Sequence, residues 1–423
     1  MTPFVNTLEF SKTLDASDTL SGFREKFHFP ILNGEPAIYL TGNSLGLQPI
    51  TATLALEQEM KDWQNLGVEG HFHGKNPWLY YHKFLSQSTA NIVGALPHEV
   101  VVMNNLTVNL HLMMVSFYRP TPKRYKIIME AGAFPSDQYA MESQVKFHGY
   151  LPDDAIIEIA PRAGEHHLRT EDILAIIEKH ADETALIMFS GVQYYTGQAF
   201  DIESITRAGH GKGIKVGFDL AHAAGNIELK LHDWNVDFAV WCGYKYLNSG
   251  PGGVSGIFIH ERYANDPTLP RFAGWWGHKE SERFQMRKGF IPEFGAAGWQ
   301  LSNAPVLSMA VHNASLKLFD EAGMSALAKK SKTLTAYLQF VIEKSNLNLN
   351  IITPPVERGC QLSILTNDDG KEIFMHLQQN GIIADWREPN VIRMAPVPLY
   401  NSFEDIFKVG HVLNTYKLKS TAN

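Results

Sequence analysis

Ala239-Val-Trp-Cys-Gly-Tyr-Lys-Tyr-Leu-Asn-Ser-Gly-Pro-Gly-Gly253 starts as an apolar strand and ends as a glycine-rich turn, with Lys245 between two tyrosines at the changeover. Gly250, Gly252 and Gly253 around Pro251 give an irregular backbone that a ligand can approach closely. Taken alone, the stretch reads either as a surface lysine before a tight hairpin or as a lysine at the mouth of a site. A lysine at the end of a buried strand loses solvation and becomes a candidate amine nucleophile or Schiff-base former.

What lies upstream favours the second reading. Twenty-six residues earlier the apolar run Ile214-Lys-Val-Gly-Phe-Asp219 ends in an acid and continues as Leu-Ala-His222-Ala-Ala-Gly. An acid at one strand end, a lysine at a later one and a polar turn between them are the parts that a pyridoxal phosphate (PLP) site requires. The carboxylate keeps a proton on the pyridine nitrogen, and the lysine carries the aldehyde carbon as a Schiff base.

The flanking chain supplies a frame for such a site. Val100–Asn104, Lys126–Glu130, Ala155–Ile159, Leu186–Phe189 and Ile214–Asp219 read as strands, and helical patterns alternate with them. Continuous apolar strands alternating with helices predict an α/β fold, a mostly parallel sheet covered on both faces. Ligands bind such sheets at the C-terminal ends of the strands. Thr107, Asp137, Ser190, Asp219 and Lys245 all fall at or just past such ends, which predicts one shared crevice. Thr107, near the start of a helix, suits either phosphate binding or capping. Phe134, at the mouth of the next helix, suits either stacking on a flat ring or core packing. Thr170 is expected to cap its helix, and Asp201 the one before Asp219.

Other segments frame the crevice. The turn Thr41-Gly-Asn-Ser-Leu-Gly46 reads as a ligand loop or as a plain connection. Gly67–Trp78, with His71 and His73, reads as a long loop suited to substrate contacts. No cysteine or carboxylate cluster completes a metal site there, and no metal is expected. The loop Arg271-Phe-Ala-Gly-Trp-Trp-Gly-His278 suits binding or subunit contact, because paired tryptophans on a bare surface are unfavourable. From Pro305 the texture changes to two long helices, Val306–Asp320 and Ser325–Lys344, and then short strands and helices. The expected division is a segment 1–50 joining a small α+β domain at 305–423, with a large domain at 51–304 between them.

With 423 residues, 44% hydrophobic, the chain can bury a large core. Its 37 Lys and Arg against 44 Asp and Glu give a net charge of −7 without a basic block, so neither nucleic acid nor an anionic membrane is an expected partner. No basic, apolar leader opens the sequence and no run of eighteen uncharged apolar residues occurs in it. Cys242 and Cys360 are too few for a disulfide framework. A cytoplasmic location is the expectation.

Several motifs in order resemble the kynureninases, within the fold-type-I PLP enzymes. They are Phe134-Pro-Ser-Asp137, Ser190-Gly-Val-Gln-Tyr-Tyr-Thr-Gly-Gln198, Phe218-Asp-Leu-Ala-His222, Trp241-Cys-Gly-Tyr-Lys-Tyr-Leu-Asn-Ser-Gly-Pro-Gly252, Gly274-Trp-Trp-Gly-His278 and Ile392-Arg-Met-Ala-Pro-Val-Pro-Leu-Tyr-Asn-Ser402. The resemblance implies a homodimer with a shared active site that cleaves the Cβ–Cγ bond of L-kynurenine or its 3-hydroxy form. The products would be L-alanine and an anthranilate. It implies Lys245 as the Schiff-base lysine and Asp219 as the pyridine partner, with Phe134 stacked on the ring. Leu106, Thr107, Asp137, Ser190, His222 and Tyr244 would complete the cofactor contacts, and Tyr244 would serve as an acid. Trp275 and Asn303 would reach in from the neighbouring subunit, and Arg393 would take the substrate carboxylate.

His71, Ser302 and Asn303 are read as facing the substrate ring, which favours the 3-hydroxy substrate, although His71 could instead only cap its own loop. Two other readings stay open. A cysteine desulfurase or selenocysteine lyase would need a cysteine on a mobile loop, and a PLP-fold protein without catalysis would not need the Asp219 and Lys245 pair.

Overall fold

In the computed structural model, which describes residues 3–367 and 369–417, seven strands form a central sheet. They are β1 (Val100–Val102), β2 (Lys126–Glu130), β3 (Ile156–Ile159), β4 (Thr184–Ser190), β5 (Lys215–Asp219), β6 (Phe238–Trp241) and β7 (Gly256–Ile259). Their spatial order is β1-β7-β6-β5-β4-β2-β3. The pairs from β6 through β3 are parallel, while β7 runs antiparallel to both β6 and β1.

Why the strands read as unbroken apolar runs is visible in their packing. Ile128, Ile187, Phe218 and Ala239 point into one core, and Ile127, Leu186, Phe238 and Val240 into a second core on the other face. Both faces being buried removes the polar alternation of a half-exposed strand. Helices Leu106–Phe117 and Pro135–Phe147 supply the second core, through Leu110, Met113, Ala140 and Met141. The register sets Asp219 opposite Ser190 on one side and Val240 on the other. The acid, the serine and the strand leading to Lys245 therefore end at one sheet edge.

Four further strands form an antiparallel sheet: β8 (Asn350–Ile351), β9 (Leu362–Leu365), β10 (Asp385–Arg387) and β11 (Val391–Met394), in the order β8-β9-β11-β10. Helices Met324–Glu343, Gly370–Gln379 and Phe403–Thr415 pack on it through Leu338, Leu377 and Val409. The N-terminal segment is tied to this part of the chain. Ile38–Tyr39 pairs in parallel with Ile382–Ile383, and the Asp15 carboxylate accepts the Phe403 and Glu404 N–H groups at 2.7 and 2.9 Å.

Two local expectations fail. Gly67–Trp78 is a loop only in its second half: Gly67–Glu69 continues helix Ile50–Leu66 as a 3₁₀ turn and Gly70–His73 as a one-turn helix, and residues 74–77 are irregular. The buried Glu59 carboxylate ties this segment down by accepting from Asn76 Nδ2, Trp78 Nε1 and the Tyr81 hydroxyl. Gly70 also lies directly under Trp78, where a Cβ would come within 2.5 Å of the ring. Thr170 is the first helical residue and not a cap, because Arg169 precedes the helix in extended conformation. There Arg162 grips both oxygens of Asp172 at 2.7 Å, a charge-assisted fork in the first turn. Asp201 does cap, accepting the Ser204 N–H at 3.0 Å.

Candidate active site

At the C-terminal edge of the central sheet a cleft opens. Leu106 and Thr107 line it from the start of one helix and Phe134 and Asp137 from the start of another. Ser190, Asp219, His222, Tyr244 and Lys245 line it from strand ends and the turns after them. Nine residues singled out in the sequence thus meet in one place. The two helix starts face each other closely, with the Thr107 and Ser136 hydroxyls 2.8 Å apart.

Lys245 is buried, and its Nζ lies 3.0 Å from His222 Nε2. Burial, and then the charges of Lys245 and Arg393, hold His222 well below the usual imidazole range. A neutral ring accepts from an ammonium group, so His222 orients the lysine without competing with it for charge. The amine also sits 5.6 Å from the centre of the half-exposed Phe134 ring and 5.9 Å from that of Tyr244. Burial, with the Cys242 thiol beside it, pushes the Tyr244 phenol up, so it stays protonated at neutral pH.

The position of Lys245 depends on the turn Thr41–Gly46. The Gly46 N–H donates to the Tyr244 carbonyl at 2.9 Å, and a Cβ on Gly46 would come within 2.3 Å of the Lys245 carbonyl oxygen. The turn thus packs directly on the lysine loop, which a bulkier residue would displace. On the other side Gly250 and Gly252 adopt φ of +83° and +64°, which L side chains rarely take.

Three buried carboxylates stand behind the lysine. Asp219 Oδ1 accepts the Ala221 N–H at 2.7 Å, and Asp137 bonds to Asp219. Burial and then the Asp219 charge drive Asp137 well above the usual carboxylate range. Burial also raises Asp219, but the Ala221 N–H and Lys245 pull it back. The proton the pair shares therefore rests on Asp137, and Asp219 is the anion. Glu130, at the end of β2, accepts from both the backbone N–H and the hydroxyl of Ser190, and burial raises it to about 7.

Sequence reading missed Glu130, although an acid at a strand end is the same signal that marked Asp219. It also missed Ser136, Val192, Tyr194 and Ala221, which line the cleft. Tyr194 packs edge-on to Phe134 at 5.1 Å. Arg393 stands behind the cleft wall and is fully buried, donating from Nη1 to the Tyr194 carbonyl at 2.6 Å and from Nη2 to Asp385.

His71, Trp275, Ser302 and Asn303 do not line the cleft in a single chain. His71 Nδ1 lies 3.0 Å from the Val68 carbonyl and its ring meets Trp78 edge-on, whereas Trp275, Ser302 and Asn303 are exposed. Away from the cleft, ligand atoms of Glu99, His232 and His260 come within 4.8 Å of one another. Glu99 there already accepts the Leu96 and Glu261 N–H groups at 2.8 and 2.7 Å, which makes it a structural carboxylate.

The donor set fits PLP. Asp137 Oδ1 and His222 Nδ1 are buried at the cleft without a partner, and an aromatic face, an anionic carboxylate and an amine surround the same space. A lysine and an acid at neighbouring strand ends of this sheet, with an antiparallel small sheet beside it, define a fold-type-I PLP enzyme.

The fold is shared at low identity by a C-DES protein solved with glycine covalently linked to its PLP cofactor (TM-score 0.75, 16% identity, 90% of this chain and 97% of that one). A cysteine desulfurase from Thermococcus onnurineus shares it too (TM-score 0.75, 16% identity, 89% and 94%). Much nearer in sequence is the kynureninase of Flavobacterium johnsoniae, 57% identical over 416 residues, which are 97% of this chain and 98% of the relative. Residues 327–413 match the kynureninase C-terminal domain. The chain belongs to the kynureninase family.

Proposed function

We propose that the protein is a PLP-dependent hydrolase that cleaves the Cβ–Cγ bond of L-kynurenine, and of its 3-hydroxy form, to L-alanine and an anthranilate. The observation that carries this reading is the Lys245–His222 contact beside an anionic Asp219, in a chain of the kynureninase family. Bound PLP supplies an electron sink for the charge that develops on the substrate carbons. Asp219 holds the proton on the pyridine nitrogen, and Asp137 backs it by donating to it. Lys245, oriented by neutral His222, is placed to take the proton from the substrate Cα, and the protonated phenol of Tyr244 to deliver one to Cβ. Phe134 offers a face for the cofactor ring, and Thr107 and Ser136 offer hydroxyls at two facing helix starts for its phosphate.

The desulfurase reading lacks its nucleophile: Cys242 and Cys360 are both buried and held in the core. Arg393 suits the substrate carboxylate, because a planar guanidinium matches it bidentately. A homodimer with a shared site fits the exposure of Trp275 and Asn303 outside the cleft of their own chain. A cytoplasmic location fits two unpaired thiols, and no described helix is long and apolar enough to cross a membrane. The division at 1–50, 51–304 and 305–423 fits the pairing of Ile38–Tyr39 with Ile382–Ile383.

Incubation of the PLP-loaded protein with kynurenine, following anthranilate fluorescence and alanine, tests the reaction; no anthranilate at any substrate level would exclude it. The 3-hydroxy substrate is the preferred one on this reading, with His71, Ser302 and Asn303 meeting its ring hydroxyl. A polar site rejects an analogue that leaves its groups unpaired, by ~1–3 kcal/mol each. The ratio of kcat/KM for the two substrates, in wild type and in His71→Trp with Asn303→Thr, decides it. A ratio near one in wild type, or one that the double variant leaves unmoved, removes the preference.

A further inference from the structure

On the small sheet, Asp385 of β10 and Arg393 of β11 are register partners, and Arg387 lies two residues along β10 from Asp385. All three side chains therefore stand on one face. Asp385 Oδ2 accepts from Arg393 Nη2, from Arg387 Nη2 at 3.1 Å and from Ser44 Oγ at 2.8 Å. One carboxylate serves two guanidinium groups, and the charge left over is positive. The same cluster holds two buried donors without an acceptor, Nε of Arg387 and Nε of Arg393. A buried donor left unpaired is unfavourable, so an anion that satisfies both is favoured there.

The cluster adjoins the cleft. Arg393 donates to the carbonyl of Tyr194, whose residue lines the cleft, and both arginines are among the charges that hold His222 neutral. Ser44 belongs to the turn that packs on the lysine loop, so the pivot for the two arginines is joined to the element that seats Lys245.

We propose that Arg387 is a second carboxylate-recognising arm beside Arg393, and that Asp385 is the positioning residue that holds the two guanidinium groups at a fixed angle. The inference rests on the kynurenine reading above and names a further determinant of its substrate class, an α-amino acid with a free carboxylate.

The test uses the PLP-loaded protein with Arg387→Met, Arg387→Lys and Asp385→Asn. KM and kcat are measured for kynurenine. Dissociation constants are read from the cofactor absorbance for two non-reacting analogues, one with the α-carboxylate and one with a carboxamide in its place. In Arg387→Met, KM and the carboxylate analogue's Kd should rise about tenfold or more, with kcat within about threefold, since a hydrogen bond to a charged group contributes ~1.5–3 kcal/mol. Carboxamide binding should not move, and Arg387→Lys should recover part of the loss. Asp385→Asn should show the same selectivity for the carboxylate.

Equal weakening of both analogues in Arg387→Met, or an unmoved KM, overturns the assignment of Arg387. Equal weakening in Asp385→Asn makes that residue merely structural and overturns its positioning role. Should Arg387→Met fail to fold, Arg387→Lys decides alone, a carboxylate-selective loss supporting the second arm and no loss overturning it. Wild-type protein that prefers the carboxylate analogue yet never cleaves kynurenine would overturn the proposed reaction while leaving the two-arginine clamp in place.

Discussion

Lys245 Nζ and His222 Nε2 lie 3.0 Å apart in a buried cleft where the imidazole is held neutral, so the ring accepts from the amine instead of repelling it. Replacing His222 with Phe keeps the bulk and removes the acceptor. Loss of a hydrogen bond to a charged group is worth ~1.5–3 kcal/mol, so kcat/KM should fall about ten- to a hundredfold with the fold intact. Steady-state kinetics beside a thermal melt check this; a variant as active as wild type would place the orienting role elsewhere.

Asp219 supplies the negative charge that a protonated pyridine needs, and its neighbour Asp137 keeps the proton of the pair. Asp219→Ala should weaken PLP retention and lower turnover by several orders of magnitude, because an unprotonated ring is a poor electron sink. Lys245→Ala should abolish turnover while still binding PLP without a covalent bond, through the contacts that remain. Equilibrium dialysis of PLP and single-turnover assays distinguish the two. Turnover within about tenfold of wild type in either variant contradicts these roles.

Asp237 sets part of the acid stability. It is buried, which alone would raise its pKa, but His210 at 2.9 Å, the Tyr263 hydroxyl and Arg262 at 2.9 Å outweigh burial and lower it to about 2. A depressed carboxylate stabilises the fold above its unfolded pKa near 3.8, and that contribution is lost as the pH falls through about 2. Asp237→Asn should therefore cost about 2 kcal/mol or more at pH 7, with the difference from wild type shrinking between pH 4 and about pH 2. Urea midpoints across that range measure it, and a difference that does not change with pH would discount the charge.

Gly217, in the middle of the central sheet, sits under the ring of its register partner Phe238. A Cβ there would come within 2.1 Å of that ring, which is itself stacked on Phe117 at 4.7 Å and cannot swing aside. Gly217→Ala should destabilise by about 1–3 kcal/mol through overpacking. Adding Phe238→Leu should recover part of the loss, a coupling that a double-mutant cycle reads directly. Additive effects would show that the clash is relieved in some other way.

The sequence by itself determined the sheet and the cleft floor, because those depend on local patterns. Unbroken apolar runs from Lys126 to Trp241 required strands buried on both faces, and the residues at their C-terminal ends had to share an edge once the strands were parallel. Lys245, Asp219, Ser190 and Asp137 were legible for that reason. What no local pattern carries is the contact between segments far apart in the chain. The neutrality of His222 depends on burial and on arginines from beyond residue 385, and the resting place of the shared proton depends on Asp137 lying against Asp219. Gly67–Trp78 looked like a loop because its glycines and histidines are turn formers, but Glu59 of the preceding helix, 17 residues before Asn76 and 19 before Trp78, supplies the carboxylate that ties its far end down. The Asp385–Arg387–Arg393 cluster likewise appears only when β10 and β11 pair and Ser44 docks on them. Desolvation and charge coupling act through space, so they were decided only when the tertiary structure set those distances.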